Sequence, residues 1–193
     1  MACNYLRITD QYIPIYPFLI FLNRDEFHHR PTEALHWWEN GNILGGRDVT
    51  AGGTWLASNR QGRVAFVTNV RQLTSLSAVF AKSRGSKIGA RFRDCLNQYG
   101  DGELPVTEMI DKLMGNTVKD DLSKLPQIYP PEFEYQLSSV FVDTVSVKGR
   151  YGTSSTSALA VKASGEVFFY EKYLENDMWI EHTEAYLIEK NEK

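Results

Sequence analysis

The stretch Phe18-Leu19-Ile20-Phe21-Leu22-Asn23-Arg24-Asp25-Glu26 decides how the chain is read, because an apolar run ends abruptly in four polar residues. Residues 18–22 are of strand length, rich in aromatic and β-branched side chains, and apolar without alternation, which predicts a strand buried on both faces. The wider apolar run, 12–22, falls short of the roughly 20 residues that span a bilayer. Asp10 precedes it, Pro14 and Pro17 interrupt it, and no basic leader or small-residue cleavage site accompanies it, so it does not read as a signal peptide. Strand ends are where a rigid sheet holds charged groups in a cleft. Asn23-Arg24-Asp25-Glu26-Phe27-His28-His29-Arg30-Pro31 is therefore the first candidate site, with Arg24 and Asp25 as electrostatic partners at its mouth. The alternative is a solvated loop, since charges often follow strands for solubility.

Working outward, residues 3–8 form a candidate first strand. Gly45-Gly46 and Gly52-Gly53 mark places where the backbone needs positive φ or close approach. Residues 54–58 and 63–70 read as a hairpin around Asn59-Arg60-Gln61-Gly62. The pattern changes after Leu73. Ile88, Phe92, Cys95, Leu96 and Tyr99 fall at helical spacing, and Val106, Met109, Ile110, Leu113 and Met114 repeat it after Pro105. Residues 117–131 form a polar connection, and strand character returns at 137–144, 157–162 and 166–173, the last two joined by a turn at Ala163-Ser164-Gly165. Strands, then helices, then strands give an α+β class, read as a single domain over residues 1–193 with no internal repeat.

Composition bounds the function. The chain has 193 residues, a net charge of -3, and 42% hydrophobic against 23% charged residues, which is enough apolar material for a core without a disulfide framework. Cys3 and Cys95 are too few for a secreted scaffold, which points to a reducing, cytoplasmic compartment. A pI near 5.8 argues against nucleic acid as a partner.

Several residues suggest chemistry, each with a plainer alternative. His28 and His29 are adjacent, so on an extended chain they point to opposite sides and do not share one metal; no metal site is expected. Trp37-Trp38 reads as packing, or with the histidines as a platform for a flat apolar ligand. The glycine pairs lack the rest of a phosphate loop. Ser154 and Ser155 sit in no nucleophile elbow and read as turn and strand residues. Lys82, Arg84, Lys87, Arg91 and Arg93 read as a solvated helix face, with anionic lipid as the alternative contact.

The tetrapeptide Asn23-Arg24-Asp25-Glu26 is the signature for which the NRDE family, also called the transport and Golgi organisation 2 family, is named. Arg30-Pro31, Ile43-Leu44-Gly45-Gly46-Arg47-Asp48, Gly52-Gly53-Thr54-Trp55-Leu56 and residues 62–70 carry the resemblance further, and Tyr151-Gly152-Thr153 extends it loosely into the last third. Pro31-Thr32-Glu33 and His36-Trp37-Trp38 resemble its plant branch. The resemblance implies an αββα sandwich similar to N-terminal-nucleophile hydrolases. It also implies a role in Golgi organisation, protein secretion and haem movement, with possible association with Golgi or mitochondrial membranes and a haem or lipid ligand. By analogy with amidases of that fold, Cys3 would be the nucleophile, Arg24 and Asp25 its orienting pair, and Asn69 an oxyanion donor. The haem reading singles out His28 or His29 with Trp37 or Trp38. Three departures argue against catalysis. Ala2 stands between Met1 and Cys3, Ser154 replaces an expected Arg, and the resemblance implies central strands between Asn69 and Ile88 that this shorter chain is expected to lack, which would shorten the sandwich and leave Phe66, Val67 and residues 137–142 nearer solvent. A trafficking or ligand-handling role is therefore preferred to cysteine amidohydrolase activity.

Overall fold

Side chains on a strand alternate between its two faces. On β2 (Phe18–Phe27), Leu19 and Phe21 enter one apolar cluster while Ile20 and Leu22 enter another, and all four are fully buried. A strand apolar on both faces must be covered on both, which makes the sheet containing β2 a middle layer. A computed structural model describes residues 2–9, 14–67, 77–99, 102–125 and 130–189, with the backbone alone for 2–9 and 77–86.

Among these residues the strands form two antiparallel sheets. In the larger one β1 (Ala2–Thr9) pairs with β2, and β2 pairs with β8 (Gly149–Val161). Next come β9 (Glu166–Glu175) and β10 (Met178–Leu187), while β7 (Asp143–Ser146) pairs with the first residues of β8. The smaller sheet runs β3 (Thr32–Trp37), β4 (Leu44–Asp48), β5 (Leu56–Ser58) and β6 (Val64–Phe66). One face of the larger sheet is covered by α1 (Ser77–Tyr99) and α2 (Val106–Met114), which bring Ile88, Phe92, Met109, Ile110 and Leu113 against Leu19, Phe21, Ala158 and Tyr170. The other face receives the smaller sheet, where Leu35, Leu44, Trp55 and Leu56 meet Ile20, Leu22, Leu159 and Phe169.

The α+β class is borne out, with two stacked sheets and helices on the outer face of the larger one. The second helical layer that an αββα sandwich requires is not found among the described elements; of the stretch between Asn69 and Ile88, where central strands were expected to be missing, residues up to 76 lie outside the described ones and the rest belongs to α1. The α2 helix falls where its spacing predicts, and α1 starts earlier than Ile88. The predicted hairpin forms as β5 and β6 around Gly62, whose φ of 76° suits the turn.

Residues 137–144 correct the sequence reading. Pro131 opens a short helix, α3 (Pro131–Gln136), and a strand begins only at Asp143. Between them Ser138 Oγ donates to Tyr135 O and accepts from Asp120 N–H, while Ser139 Oγ donates to Phe141 O. These side-chain bonds tie the segment to its own backbone, to α3 and to Asp120, an alternative to strand pairing. The apolar residues of this segment are core all the same: Val140 and Val142 are fully buried rather than near solvent, whereas Val67 is half-exposed. No described helix is long and apolar enough to cross a membrane.

Two motif glycines separate cleanly as tests of packing. A Cβ at Gly152 would lie 2.1 Å from the Val142 carbonyl oxygen, a backbone atom held in the sheet, whereas a Cβ at Gly53 would meet nothing within 4 Å. Gly152→Ala should therefore destabilise the protein by roughly 1–3 kcal/mol. Gly53→Ala should leave the urea midpoint unchanged, and equal midpoints for the two variants would contradict this packing.

Candidate ligand cleft

Asn23, Arg24, Asp25 and Glu26 continue β2 past its apolar half, so alternation sends them in different directions. The side chain of Asn23 donates to Met114 O at 3.0 Å and Val140 O at 3.1 Å, fastening the end of α2 and the 140 segment to the sheet. Arg24, only 1% exposed, turns toward the smaller sheet. Its Nη2 donates to Asp48 Oδ2 at 3.5 Å, its Nη1 to Ser154 Oγ at 2.8 Å, and its guanidinium lies 4.7 Å from the Trp55 ring centre. Asp25 instead accepts from Thr153 Oγ1 at 2.8 Å. The carboxylate set against Arg24 is thus Asp48 across the sandwich, where Asp25 was expected. A bulge between Arg24 and Asp25 places Ser154, the position where an Arg was expected, beside Arg24.

Asp48 is the most heavily shared of these groups. Its Oδ2 also accepts from Arg30 Nε at 2.7 Å, and its Oδ1 from the N–H groups of Thr50 and Ala51. Burial works against its charge, but the Arg30 hydrogen bond, the Ala51 N–H and the two guanidiniums outweigh that and hold its pKa below the ordinary carboxylate range. Gly52 and Gly53 close this turn through Gly52 N–H to Asp48 O and Asp48 N–H to Gly53 O. Thr54 Oγ1 donates to Leu56 O, fixing the entry to β5. Trp55 fits under Arg24 because Gly46 has no side chain; a Cβ there would sit 2.4 Å from the indole.

Above this cluster the two sheets leave a cleft of about 430 Å³, counted to its open mouth, between the ends of β2, β8, β9 and β3. Arg24, Ser155 and Glu171, all buried, line it together with Trp55, Glu33 and Glu175. Glu171 Oε2 accepts from Leu35 N–H at 2.6 Å, so one carboxyl bridges the larger sheet to the smaller. Desolvation pushes its pKa up to about 7, against the opposing pull of the Leu35 N–H, Ser155, Arg24 and His182. Sequence reasoning missed Glu171, Ser155 and Asp48 as site residues. For Glu171 the signal was there: Val167 and Phe169 face inward, so an acid two residues on stands at a core position of the same strand.

The other sequence candidates lie elsewhere. Both ring nitrogens of His28 are buried with no hydrogen bond, and burial and Arg150 hold its pKa down. His29 packs on Phe27. Trp37 meets Tyr186 edge-on under Arg60, and Trp38 donates to Gly45 O. All of β3 stands between His29 and Trp37, a span of about 17 Å at the usual strand rise, so the histidines and tryptophans do not form one pocket. Among the described residues no group of His, Cys, Asp or Glu could hold a metal. Cys3 is described by its backbone alone, which pairs with Arg24, and Asn69 lies outside the described residues.

The sequence profile for transport and Golgi organisation 2 matches residues 5–92 and 86–176, most of the chain. The chain belongs to this family. It is 41% identical over 61 residues to the Bos taurus protein named Transport and Golgi organization protein 2 homolog, and equally to its Homo sapiens counterpart. Those matches cover 30% of this chain and 22% of each relative. An uncharacterized Saccharomyces cerevisiae protein is 32% identical over 79 residues, covering 37% of this chain and 25% of its own length. The aligned stretch is thus a quarter or less of the curated relatives. In this member of the transport and Golgi organisation 2 family the signature tetrapeptide works as four separate fasteners, and Arg24 alone of the four lines the cleft.

Two carboxylates of opposite behaviour give this site a pH signature. The raised pKa of Glu171 means its stabilising contribution is complete below the unfolded value and is lost as pH rises toward about 7. Asp48, held low, contributes above its unfolded value and loses that contribution as pH falls through its folded one. Glu171→Gln should raise stability at pH 8 by up to about 3 kcal/mol and flatten the decline between pH 5 and 7. Asp48→Asn should cost about 3–5 kcal/mol at neutral pH, since it strands a buried guanidinium. Urea unfolding across pH 4–9 checks both.

Proposed function

We propose that this chain serves intracellular transport and Golgi organisation, as the names of its relatives suggest, by holding a small polar ligand in the cleft between its two sheets. The observation that carries this reading is the cleft itself. Three polar side chains with almost no solvent exposure, Arg24, Ser155 and Glu171, open into one concave space. Buried polar groups are costly, and a core built for packing alone would hold apolar side chains there. Such a constellation, positioned by strands and open at one end, is what binding sites use to orient a ligand.

A second reading, cysteine amidohydrolase activity, has one observation in its favour. Cys3, Arg24, Ser155 and Tyr173 occupy one cross-strand row of the larger sheet, so the expected nucleophile position is the backbone neighbour of a residue that lines the cleft. Against it, the nitrogen of Cys3 is tied into a peptide bond to Ala2, and a self-activating nucleophile needs its own free amine as base.

Filling the cleft separates ligand handling from the rest of the fold. In cells lacking their own family member, the chain should restore the secretion rate of a reporter and normal Golgi morphology. Ala34→Phe, which projects a ring from β3 into the cleft, should abolish that rescue, while Val147→Ser on an exposed turn should keep it. Full rescue by Ala34→Phe at equal protein level would reject the cleft as the working site. Loss of rescue in Cys3→Ser, with release of amine from N-acyl substrates by the parent protein, would favour hydrolysis instead.

A further inference from the structure

The charges around the cleft are unequal and come from separate walls. One guanidinium, Arg24, stands on β2; Glu171 and Glu175 stand on β9, and Glu33 on β3. Asp48 answers part of the Arg24 charge from behind the cleft, so a simple anion would still be repelled by three carboxyls and a simple cation would still face the guanidinium. A molecule carrying both charges on neighbouring atoms meets neither conflict. Ser155 adds a second pointer to a ligand: it is 4% exposed, it lines the cleft, and although it acts on the neighbouring Glu171 carboxyl its hydroxyl makes no hydrogen bond of good geometry. A hydroxyl can donate once and accept twice, so this one has capacity for a ligand atom in the same concave polar space.

Accepting the cleft as the ligand site, we propose that it takes a small zwitterion of the amino-acid type, its carboxylate on Arg24 and Ser155 and its ammonium between Glu171, Glu33 and Glu175. The side chain would lie toward Trp55, Tyr173, Leu174 and Ala34, which supply the apolar part of the lining.

The test uses the standard amino acids as probes on the unmodified protein, by thermal shift and then calorimetry. At least one should bind at millimolar concentration. Its deaminated acid and its decarboxylated amine should each bind about tenfold more weakly or worse, because each loses a charge-assisted hydrogen bond. Glu171→Gln, which keeps the Leu35 hydrogen bond, should weaken the amino acid while leaving the deaminated acid unchanged. Failure of every amino acid to bind, or equal binding of the deaminated acid, overturns the proposal. If Ala34→Phe still loses cellular rescue in that case, the ligand class is wrong and the cleft stands; if it keeps rescue, both fall.

Discussion

The sandwich is held in register at one end by Arg24 against Asp48, a guanidinium from the larger sheet meeting a carboxylate from the smaller one with both side chains almost wholly buried. Removing two charges from water costs more than their attraction returns unless further hydrogen bonds complete them. Completion here is local. Asp48 takes Arg30 and two backbone N–H groups of its own turn, and Arg24 takes Ser154 and the face of Trp55. Each addition imposes a condition on the sequence. The indole needs Gly46 to be bare, Gly45 must let β5 approach, since its Cβ would stand 2.6 Å from Leu56 O, and the bulge must bring Ser154 to Arg24. The family motifs are thus one interlocked object, scattered along the chain but adjacent across the sheets.

The cleft follows from that arrangement. Aliphatic side chains fill the space between the sheets along Ile20 and Leu22, and polar ones replace them from Arg24 onward, so close packing gives way to an opening. Glu171 sits at the transition. Its carboxyl ties β9 to β3 through Leu35, yet the same burial makes its charge expensive near neutral pH. A residue that costs stability in this way and points into a concave space is the kind that folds retain for binding rather than for packing.

The alternation of β2 gives the four residues of the tetrapeptide separate jobs. Asn23 serves the helical layer, Arg24 the smaller sheet, Asp25 the neighbouring strand through Thr153, and Glu26 accepts from the N–H of Phe27 beside it. The tetrapeptide is therefore an architectural element with one member at the cleft.

How much of this was legible in the sequence depends on whether a feature is local. The buried strand at 18–22, the α2 helix, the turn at Gly62 and the close approach at Gly45-Gly46 are set by apolar periodicity and by what glycine permits, both of which act within a few residues. The resemblance supplied the family. The helix at 131–136 and the irregular 137–142 segment were misread because burial of Leu137, Val140 and Val142 looks the same whether a strand or a hydrogen-bonded loop carries it. Strand β10 went unnoticed, since Glu181, His182, Thr183 and Glu184 interrupt its apolar residues and most of the run is exposed. What only the tertiary structure decided is who meets whom: Asp48 rather than Asp25 against Arg24, Glu171 from the far end of the chain in the same cleft, and the tryptophans held a strand's length from the histidines. Those pairings are set by register and sheet stacking, which join residues 24 to 147 positions apart, and a linear pattern carries no record of distances closed by folding.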